Sequence, residues 1–491
     1  MNIYTVSKIL FTHSYFYRFD PKQWRNYQPY PPYGTIYAAA LMRAQGHEVL
    51  LFDTNLKESP AEILPIIEKE RPDYLVIYDD GFNYLTKMCL TNMREAAFEM
   101  SRYGKEHDCK VLVCSSDATD HYEKYLENGA DFILQGEGEL TLKELIEKLD
   151  QGNADLSLIA GISWKDGVKA VRNPGRPVLR QLDDLPDPAW DLVDIPAYRD
   201  IWMTHHGYFS LNIATTRGCP YKCNWCAKPI YGNRYNSRSP ERVAGELELL
   251  VRQYGAQYFW VCDDIFGLKP GWVQRFREVL EEKNLKIQYK IQSRVDLLLQ
   301  EDNIDALVAS GLKQVWVGAE SGSQKILDAM DKGTDVEQIY EATFLLKKKG
   351  VEVCFFLQFG YLGETQEDID MTIRMVQDLV PHDIGISVSY PLPGTLFYEK
   401  VKDQLLQKQN WTHSDDLDLM FEGEFGKAYY KRLHRLVHKL FRERQGLESL
   451  KSLVAAPLSG NRRKWRSALL MLYYSPAALV DRVRLQWLAK R

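Results

Sequence analysis

Apolar residues fall into two alternating rhythms along most of this chain. Short runs that are continuously apolar or alternate with period two, Lys8–Thr12, Glu48–Asp53, Tyr74–Tyr78, Lys110–Cys114 and Asp131–Leu134, predict strands. After a long aromatic- and proline-rich loop, Ser14–Tyr33, a helical period runs over about Thr35–Ala44 and is closed by Gln45-Gly46. Strands alternating with helices predict a parallel, doubly wound, flavodoxin-like sheet over residues 1–150. Such sheets bind ligands at the carboxyl ends of their strands, over the switch point. That places Asp53, Asp79, Asp80, Ser115, Ser116 and Gln135–Glu139 around one crevice.

Residues 151–205 read as a hairpin and linker. Ile159–Trp164 and Val168–Arg172 pair about an Asp166-Gly167 turn. Asp183-Asp184-Leu185-Pro186-Asp187-Pro188 then has the proline and acid density of an ordered connector. From 206 to 400 six strands are predicted, at 210–216, 257–262, 287–292, 314–318, 351–358 and 384–390. The helices between them, among them Pro240–Tyr254, Pro270–Glu282, Val336–Lys349 and Gln366–Leu379, give the rhythm of a partial (β/α)6 barrel. His205 and His206 fall on an expected strand, so their side chains would point to opposite faces, and they are read as surface residues. Residues 401–491 are helical: in Lys427–Gln445 one stripe carries Leu433, Leu436, Val437, Leu440 and Phe441, and the other carries Arg432, Arg435, Lys439 and Arg442. Beyond it, Leu469–Tyr474 and Ala477–Val480 are apolar on either side of Pro476.

Composition narrows the class. The 491 residues are 45% hydrophobic and 26% charged, as in an ordinary globular protein of two or three domains. No run approaches the roughly 18 apolar residues of a membrane span, and the N-terminus has no signal-peptide pattern. Eight cysteines without a disulfide framework fit a reducing cytoplasm. The net charge of −5 hides an asymmetry: residues 427–491 carry 16 Lys and Arg against 3 Asp and Glu. This basic tail on an acidic body points to helices packed with a solvated basic face, or to contact with an anionic membrane surface on the cytoplasmic side. Nucleic acid is excluded as a partner, because the body is acidic and no recognition motif is present.

The candidate chemistry sits in Cys219-Pro220-Tyr221-Lys222-Cys223-Asn224-Trp225-Cys226, a C-x3-C-x2-C loop just after a predicted strand. Three thiolates at this spacing can converge on one metal centre, and a closed structural site would want a fourth ligand. The alternatives are a zinc site completed by a remote histidine, or reduced cysteines close by chance. The other cysteines, Cys89, Cys109, Cys114, Cys262 and Cys354, read as core or surface thiols, and Lys332-Gly333-Thr334 as a helix boundary.

This loop, with its aromatic residue before the third cysteine, resembles that of the radical S-adenosylmethionine (SAM) enzymes. The resemblance implies a [4Fe–4S] cluster held by Cys219, Cys223 and Cys226, SAM chelated to the open iron, and reductive cleavage to a 5′-deoxyadenosyl radical. It also assigns the strand ends. Asp263 and Asp264 would accept from the SAM ammonium, Ser293 and Arg294 would meet its carboxylate, and Glu320 its ribose or amine. Gln358–Thr365 resembles the segment that packs against adenine, and Pro391-Leu392-Pro393-Gly394-Thr395 closes the set.

Residues 1–150 resemble the cobalamin-binding domain that precedes the barrel in one branch of these enzymes. The matching pieces are Pro31–Ala39, Gly46–Asp53, Gly129-Ala130-Asp131 and Gly136-Glu137-Gly138-Glu139. The D-x-H-x-x-G cobalt-ligand motif is absent, which implies cobalt without a protein histidine. Ser115-Ser116-Asp117 stands where relatives often carry paired glycines, near the nucleotide tail, so Ser115, Ser116, Gly136 and Glu137 are the expected cobalamin contacts. The branch implies methylation of an unactivated carbon of a small-molecule or lipid substrate, with an electron donor such as flavodoxin or ferredoxin. Oxidative cyclisation, a rearrangement, or a non-catalytic cobalamin and iron–sulfur sensor are the other readings. A methylthiotransferase is disfavoured, since no second three-cysteine site occurs.

Overall fold

The computed structural model describes residues 6–82, 90–152, 155–228, 230–405, 412, 417, 419–455 and 462–489. Cys89 lies outside the described residues. The chain forms two compact units, one built from Met1–Pro220 and Lys228–Tyr289, the other from Tyr221–Ala227, Lys290–Gln409 and Leu417–Arg491.

The first unit opens with a seven-stranded sheet in the order β2-β1-β3-β4-β5-β6-β7. Strands β1 (Lys8–Thr12), β2 (Glu48–Phe52), β3 (Tyr74–Tyr78), β4 (Lys110–Cys114) and β5 (Phe132–Leu134) are parallel. This 2-1-3-4-5 order is the flavodoxin-like one. Period-two side chains explain the double winding. Tyr74, Val76 and Tyr78 of β3 join a core with Ala38, Ala39 and Met42 of helix Tyr33–Ala44 and Leu142, Leu145 and Ile146 of helix Glu139–Asp150. Leu75 and Ile77 of β3 point the other way, into a core with Ala96, Ala97 and Met100 of helix Thr91–Glu106.

The predicted hairpin forms, but as part of this sheet. Strand β6 (Ile162–Asp166) pairs antiparallel with β5, and β7 (Lys169–Arg172) extends the edge. His205 and His206 are on a helix, Ile195–His206, not on a strand. Asp194 caps it by accepting from Ala197 N at 3.3 Å, and Pro196 occupies its first turn, so local start signals override the expected strand. His205 stacks on Tyr27 with ring centroids 3.7 Å apart, and His206 Nε2 lies 3.0 Å from Tyr27 O.

The first unit continues with parallel strands β8 (Ser210–Ile213) and β11 (Tyr258–Val261) and helix Pro240–Tyr254 between them. A short antiparallel ribbon, β9 (Thr216–Arg217) with β10 (Asn236–Ser237), leaves β8. One buried carboxylate ties these parts to the sheet. Glu246 accepts from Tyr33 Oη at 3.0 Å, Trp190 Nε1 at 2.9 Å and Arg238 Nη1 at 2.6 Å. Helix Tyr33–Ala44, the connector and helix Pro240–Tyr254 therefore share one polar centre.

In chain order β12 (Gln288–Ser293), β13 (Leu312–Glu320), β14 (Glu352–Phe359) and β15 (Asp383–Val388) complete the six predicted strands. In the second unit β13, β14 and β15 are parallel, with helices Val336–Lys348 and Gln366–Leu379 in the crossovers. Helix Lys427–Ala455 runs ten residues past its expected end. Its apolar stripe is buried as expected, and Tyr429 Oη donates to Gln366 Oε1 at 2.6 Å. Part of its basic face is not solvated: Arg432 and Lys439 each lie 2.7 Å from Asp481 on the last helix, Arg462–Leu488.

Replacing Arg238 by Met would leave the Glu246 carboxylate buried without its cation. The expected loss is about 3–5 kcal/mol in folding free energy, read by denaturant unfolding. A change under about 1 kcal/mol would contradict the assignment of this pair as the tie between the three segments.

Candidate active site around the cysteine loop

In the first unit, the segment before the first cysteine is gripped by buried acids on both sides. Asp263, at the end of β11, accepts from Thr215 N at 2.7 Å, from Thr216 N at 3.0 Å and from the Thr215 hydroxyl. Burial pushes its carboxyl up to about 6, against the pull of those donors. Arg217 is buried in an ion pair with Glu137 and lies 2.8 Å from Glu139 Oε1. Its guanidinium stands 5.4 Å from the rings of Tyr37 and Phe82 and 5.5 Å from Tyr231. Gly218 follows with φ +81, where a Cβ would collide with Arg234 O, so only glycine makes the turn into the loop.

These positions bear on two expected ligand contacts. Asp263 gives three of its acceptor positions to the backbone and hydroxyl of its neighbours, so it clamps the loop entrance. Glu137 bonds Arg217 through one oxygen and Leu179 N, at 2.5 Å, through the other. The rest of the predicted crevice is likewise internally bonded. Asp79 accepts from Ser14 N at 2.7 Å, Asp53 from His13 Nε2 at 3.0 Å and Asp80 from Gly34 N at 3.0 Å. Ser115 caps helix Ser116–Asp120 through Ala118 N at 2.9 Å, Ser116 is buried, and Gly136 N donates to Thr119 Oγ1 at 3.2 Å.

In the second unit, the middle of the loop is held by Asn224, which is buried. Its side chain donates to Ala329 O at 2.8 Å and Asp331 Oδ2 at 2.9 Å, and accepts from Tyr361 Oη at 2.5 Å. Its backbone bonds Met330 O and Phe397 N, at 3.0 and 2.9 Å. Cys223 and Cys226, on either side of this anchor, keep partial exposure, as does Cys219 of the first unit. The other described cysteines, Cys109, Cys114, Cys262 and Cys354, are buried. Among the described residues no three His, Cys, Asp or Glu side chains are already drawn together as a metal site.

Two cations stand by Cys223. Arg294 Nη1 is 4.0 Å from its sulfur, and the guanidinium lies 3.7 Å over the Tyr221 ring. Four of the five Arg294 N–H groups are engaged: Asp296 takes Nε at 2.9 Å and Nη2 at 3.1 Å, Lys332 O takes Nη1 at 2.7 Å, and Gly333 O takes Nη2 at 3.0 Å. Its remaining N–H faces the Cys223 sulfur, so Arg294 is tied to the cysteine loop as well as to Asp296 and the Lys332-Gly333 backbone. Lys332, read from sequence as a helix boundary, is buried with Nζ 2.7 Å from Glu320 Oε1. Burial would lower its pKa, but Glu320 and the Cys223 sulfur outweigh that and leave it raised.

Glu320 owes its position to a bulge. The register of β13 on β14 skips Ala319, and Glu320 has φ +55, a left-handed conformation that is strained for a non-glycine residue. Gly318 leaves room for the pair, since a Cβ there would meet Lys332 Nζ at 2.5 Å. The Tyr390 hydroxyl is pushed up by burial first and then by Cys226 and Glu320, which puts those groups in one electrostatic neighbourhood. Ser293 is buried at the end of β12, and Asp264 is exposed beyond β11. A separate cavity of about 1040 Å³ in the second unit is lined by Glu352 and His382, at the amino ends of β14 and β15. Barrel chemistry belongs to the opposite, carboxyl ends, where Glu320 stands.

Glu364, in the loop after β14, is fully buried. Oε2 accepts from Gly360 N at 2.6 Å, Oε1 has no partner among the described residues, and burial pushes the carboxyl up to about 8 from 4.5. Between those values the folded chain keeps a proton that the unfolded chain has lost, so this group's contribution to stability falls as pH rises from about 4.5 and levels off above about 8. Glu364→Gln removes that dependence. The variant should gain on the parent by a few kcal/mol between pH 5 and pH 8 in urea unfolding, and a constant difference would sink the assignment.

Residues 213–376 match the radical SAM superfamily. An uncharacterized methyltransferase of Pyrococcus horikoshii is 28% identical over 395 residues, which cover 79% of this chain and 82% of the relative. An anaerobic magnesium-protoporphyrin IX monomethyl ester cyclase of Rubrivivax gelatinosus is 27% identical over 387 residues, 77% of this chain and 67% of the cyclase. The fold is similar to that of the radical SAM methyltransferase TsrM from Kitasatospora setae, solved with cobalamin and a [4Fe–4S] cluster bound. The TM-score is 0.67 at 19% identity, over 81% of this chain and 78% of that one. The chain carries a radical SAM domain over residues 213–376, cysteine loop included, and its flavodoxin-like sheet followed by a run of β/α units is similar in fold to that cobalamin- and cluster-bound methyltransferase.

Proposed function

We propose that this enzyme methylates an unactivated carbon of a small-molecule or lipid substrate. The observation that carries the reading is the cysteine loop itself: its backbone is anchored by buried groups, while its three thiols alone among the described cysteines keep partial exposure. Cys219, Cys223 and Cys226 would hold a [4Fe–4S] cluster, leaving one iron for SAM. Asp264, Ser293 and Glu320 are the groups proposed to contact SAM, and Ser115, Ser116 and Gly136 border the proposed cobalamin crevice at the ends of β4 and β5. Together these cofactors would supply reductive cleavage of SAM, hydrogen abstraction from the substrate and delivery of a methyl group.

The chain's own residues do the positioning. Asn224 fixes the backbone between the second and third cysteines. Arg294 and Lys332 set positive charge beside Cys223, and Glu320 keeps Lys332 protonated in a buried setting. Asp263 and Arg217 fix the backbone that delivers Cys219. Electrons would come from a flavodoxin or ferredoxin. Oxidative cyclisation is the second reading, favoured by the likeness to the cyclase.

Anaerobic protein from cobalamin-supplied cells should carry about four irons and one cobalamin per chain, and should release 5′-deoxyadenosine from SAM under a reductant. Methylated product then separates methyl transfer from cyclisation, and a loaded protein that never cleaves SAM would leave only a sensor. Cys223→Ala should lose iron and SAM cleavage together while melting as the parent does. Asn224→Ala should cost about 1–3 kcal/mol through the unpaired Tyr361 and Asp331 groups, and should lower iron occupancy without abolishing it. Full iron occupancy in that variant would remove Asn224 from the assignment.

A further inference from the structure

The last helix, Arg462–Leu488, is amphipathic with its faces reversed. The side it turns inward carries small or polar residues, Ala468, Ala478 and Asp481, with Leu485. On the opposite side Leu469, Leu472, Leu479 and Val483 are between 60% and 70% exposed, and Trp465 and Trp487 about half exposed at the two ends. These six positions recur at helical spacing as one stripe, with Tyr473 and Val480 exposed beside it. A surface helix ordinarily buries its large apolar residues, so a continuous exposed stripe of this kind marks a contact surface.

Charge decides what covers it. The only acid on this helix, Asp481, is turned inward and neutralised by Arg432 and Lys439, each at 2.7 Å. Among the described side chains the outward half keeps cations alone: Arg462, Arg466, Arg482 and Arg484 are exposed. A second copy docking through the same stripe would set these cations against one another. An anionic bilayer complements both the cations and the apolar stripe, and tryptophans at both ends suit its interface. No helix among the described residues is long and apolar enough to cross a membrane, which leaves a helix lying in the surface plane.

We propose that helix Arg462–Leu488 docks this protein on anionic membrane, its apolar stripe seated at the boundary between headgroups and acyl chains and its arginines on the lipid phosphates. This rests on the helix surface alone and stands whether or not the methylation reading holds.

The test is sedimentation of the full-length protein with sucrose-loaded vesicles, of phosphatidylcholine alone and of phosphatidylcholine with phosphatidylglycerol. The protein should pellet with the anionic vesicles, far less with the neutral ones, and be released by salt. Arg482→Gln and Arg484→Gln should each weaken binding about fivefold, and Leu472→Asp with Val483→Asp should abolish it. The arginine variants change only exposed side chains, so they decide the matter if the aspartate variant fails to fold. Recovery of the parent in the supernatant with both vesicles would overturn the proposal. So would equal binding to both, or light scattering that finds a lipid-free dimer which Leu472→Asp dissociates.

Discussion

The approach to the cysteine loop depends on one buried cation. Arg217 is enclosed by Glu137, Glu139 and three aromatic rings, with almost no exposure to water. A guanidinium in that setting is tolerable only if both carboxylates arrive with it. Glu137 and Glu139 come from the turn after β5, Tyr37 from the first long helix, and Tyr231 from the return of the loop. Folding of the sheet and placement of Arg217 are thus one event, and Gly218 and Cys219 follow it by covalent necessity. Such pairs contribute little net stability against an apolar replacement, and their better attested use is to fix register. Here the register fixed is that of the residue next to a functional turn.

The other anchors obey the same logic with different chemistry. Asp263 gives its carboxylate to two backbone N–H groups that would otherwise be stranded at the end of β8. Asn224 satisfies a donor and an acceptor at once, so its amide orientation is set by Tyr361 on one side and Ala329 and Asp331 on the other. The three thiols carry the opposite pattern: they are partly exposed, beside backbone held at Thr215, Thr216 and Asn224. Rigid backbone and available sulfur are what a loop needs in order to take up a metal centre without refolding.

Much of the fold was legible because local signals were redundant. Helix Pro240–Tyr254 has a Ser239 cap, a proline in its first turn and Gly255 at its end, and its predicted limits match the observed ones. Strand β3 is apolar throughout because both its faces are covered, and it reads as a continuous run. The site was less legible, because its residues act through partners distant in sequence. Nothing near Arg294 announces that Lys332 and Gly333 will offer it carbonyls, and nothing near Glu137 announces Arg217, eighty residues on. Lys332 looked like a boundary because it is one, just past helix Gln324–Ala329. Its burial against Glu320 depends on the skipped residue in β13, and no periodicity encodes a bulge.

That bulge bears on how charge is arranged beside Cys223. A bare lysine buried there would tend to lose its proton, and it would then offer the sulfur a neutral amine. Paired with Glu320 it stays charged, but the sulfur then faces a dipole and not an isolated cation. Arg294 behaves similarly, its charge shared with Asp296. Both cations beside Cys223 are therefore compensated from behind. The arrangement brings cations to the sulfur without placing unbalanced positive charge in a low-dielectric interior, where the desolvation cost of a lone ion is large. The left-handed backbone of Glu320 is the strain accepted for that balance, and it lies at the carboxyl end of β13.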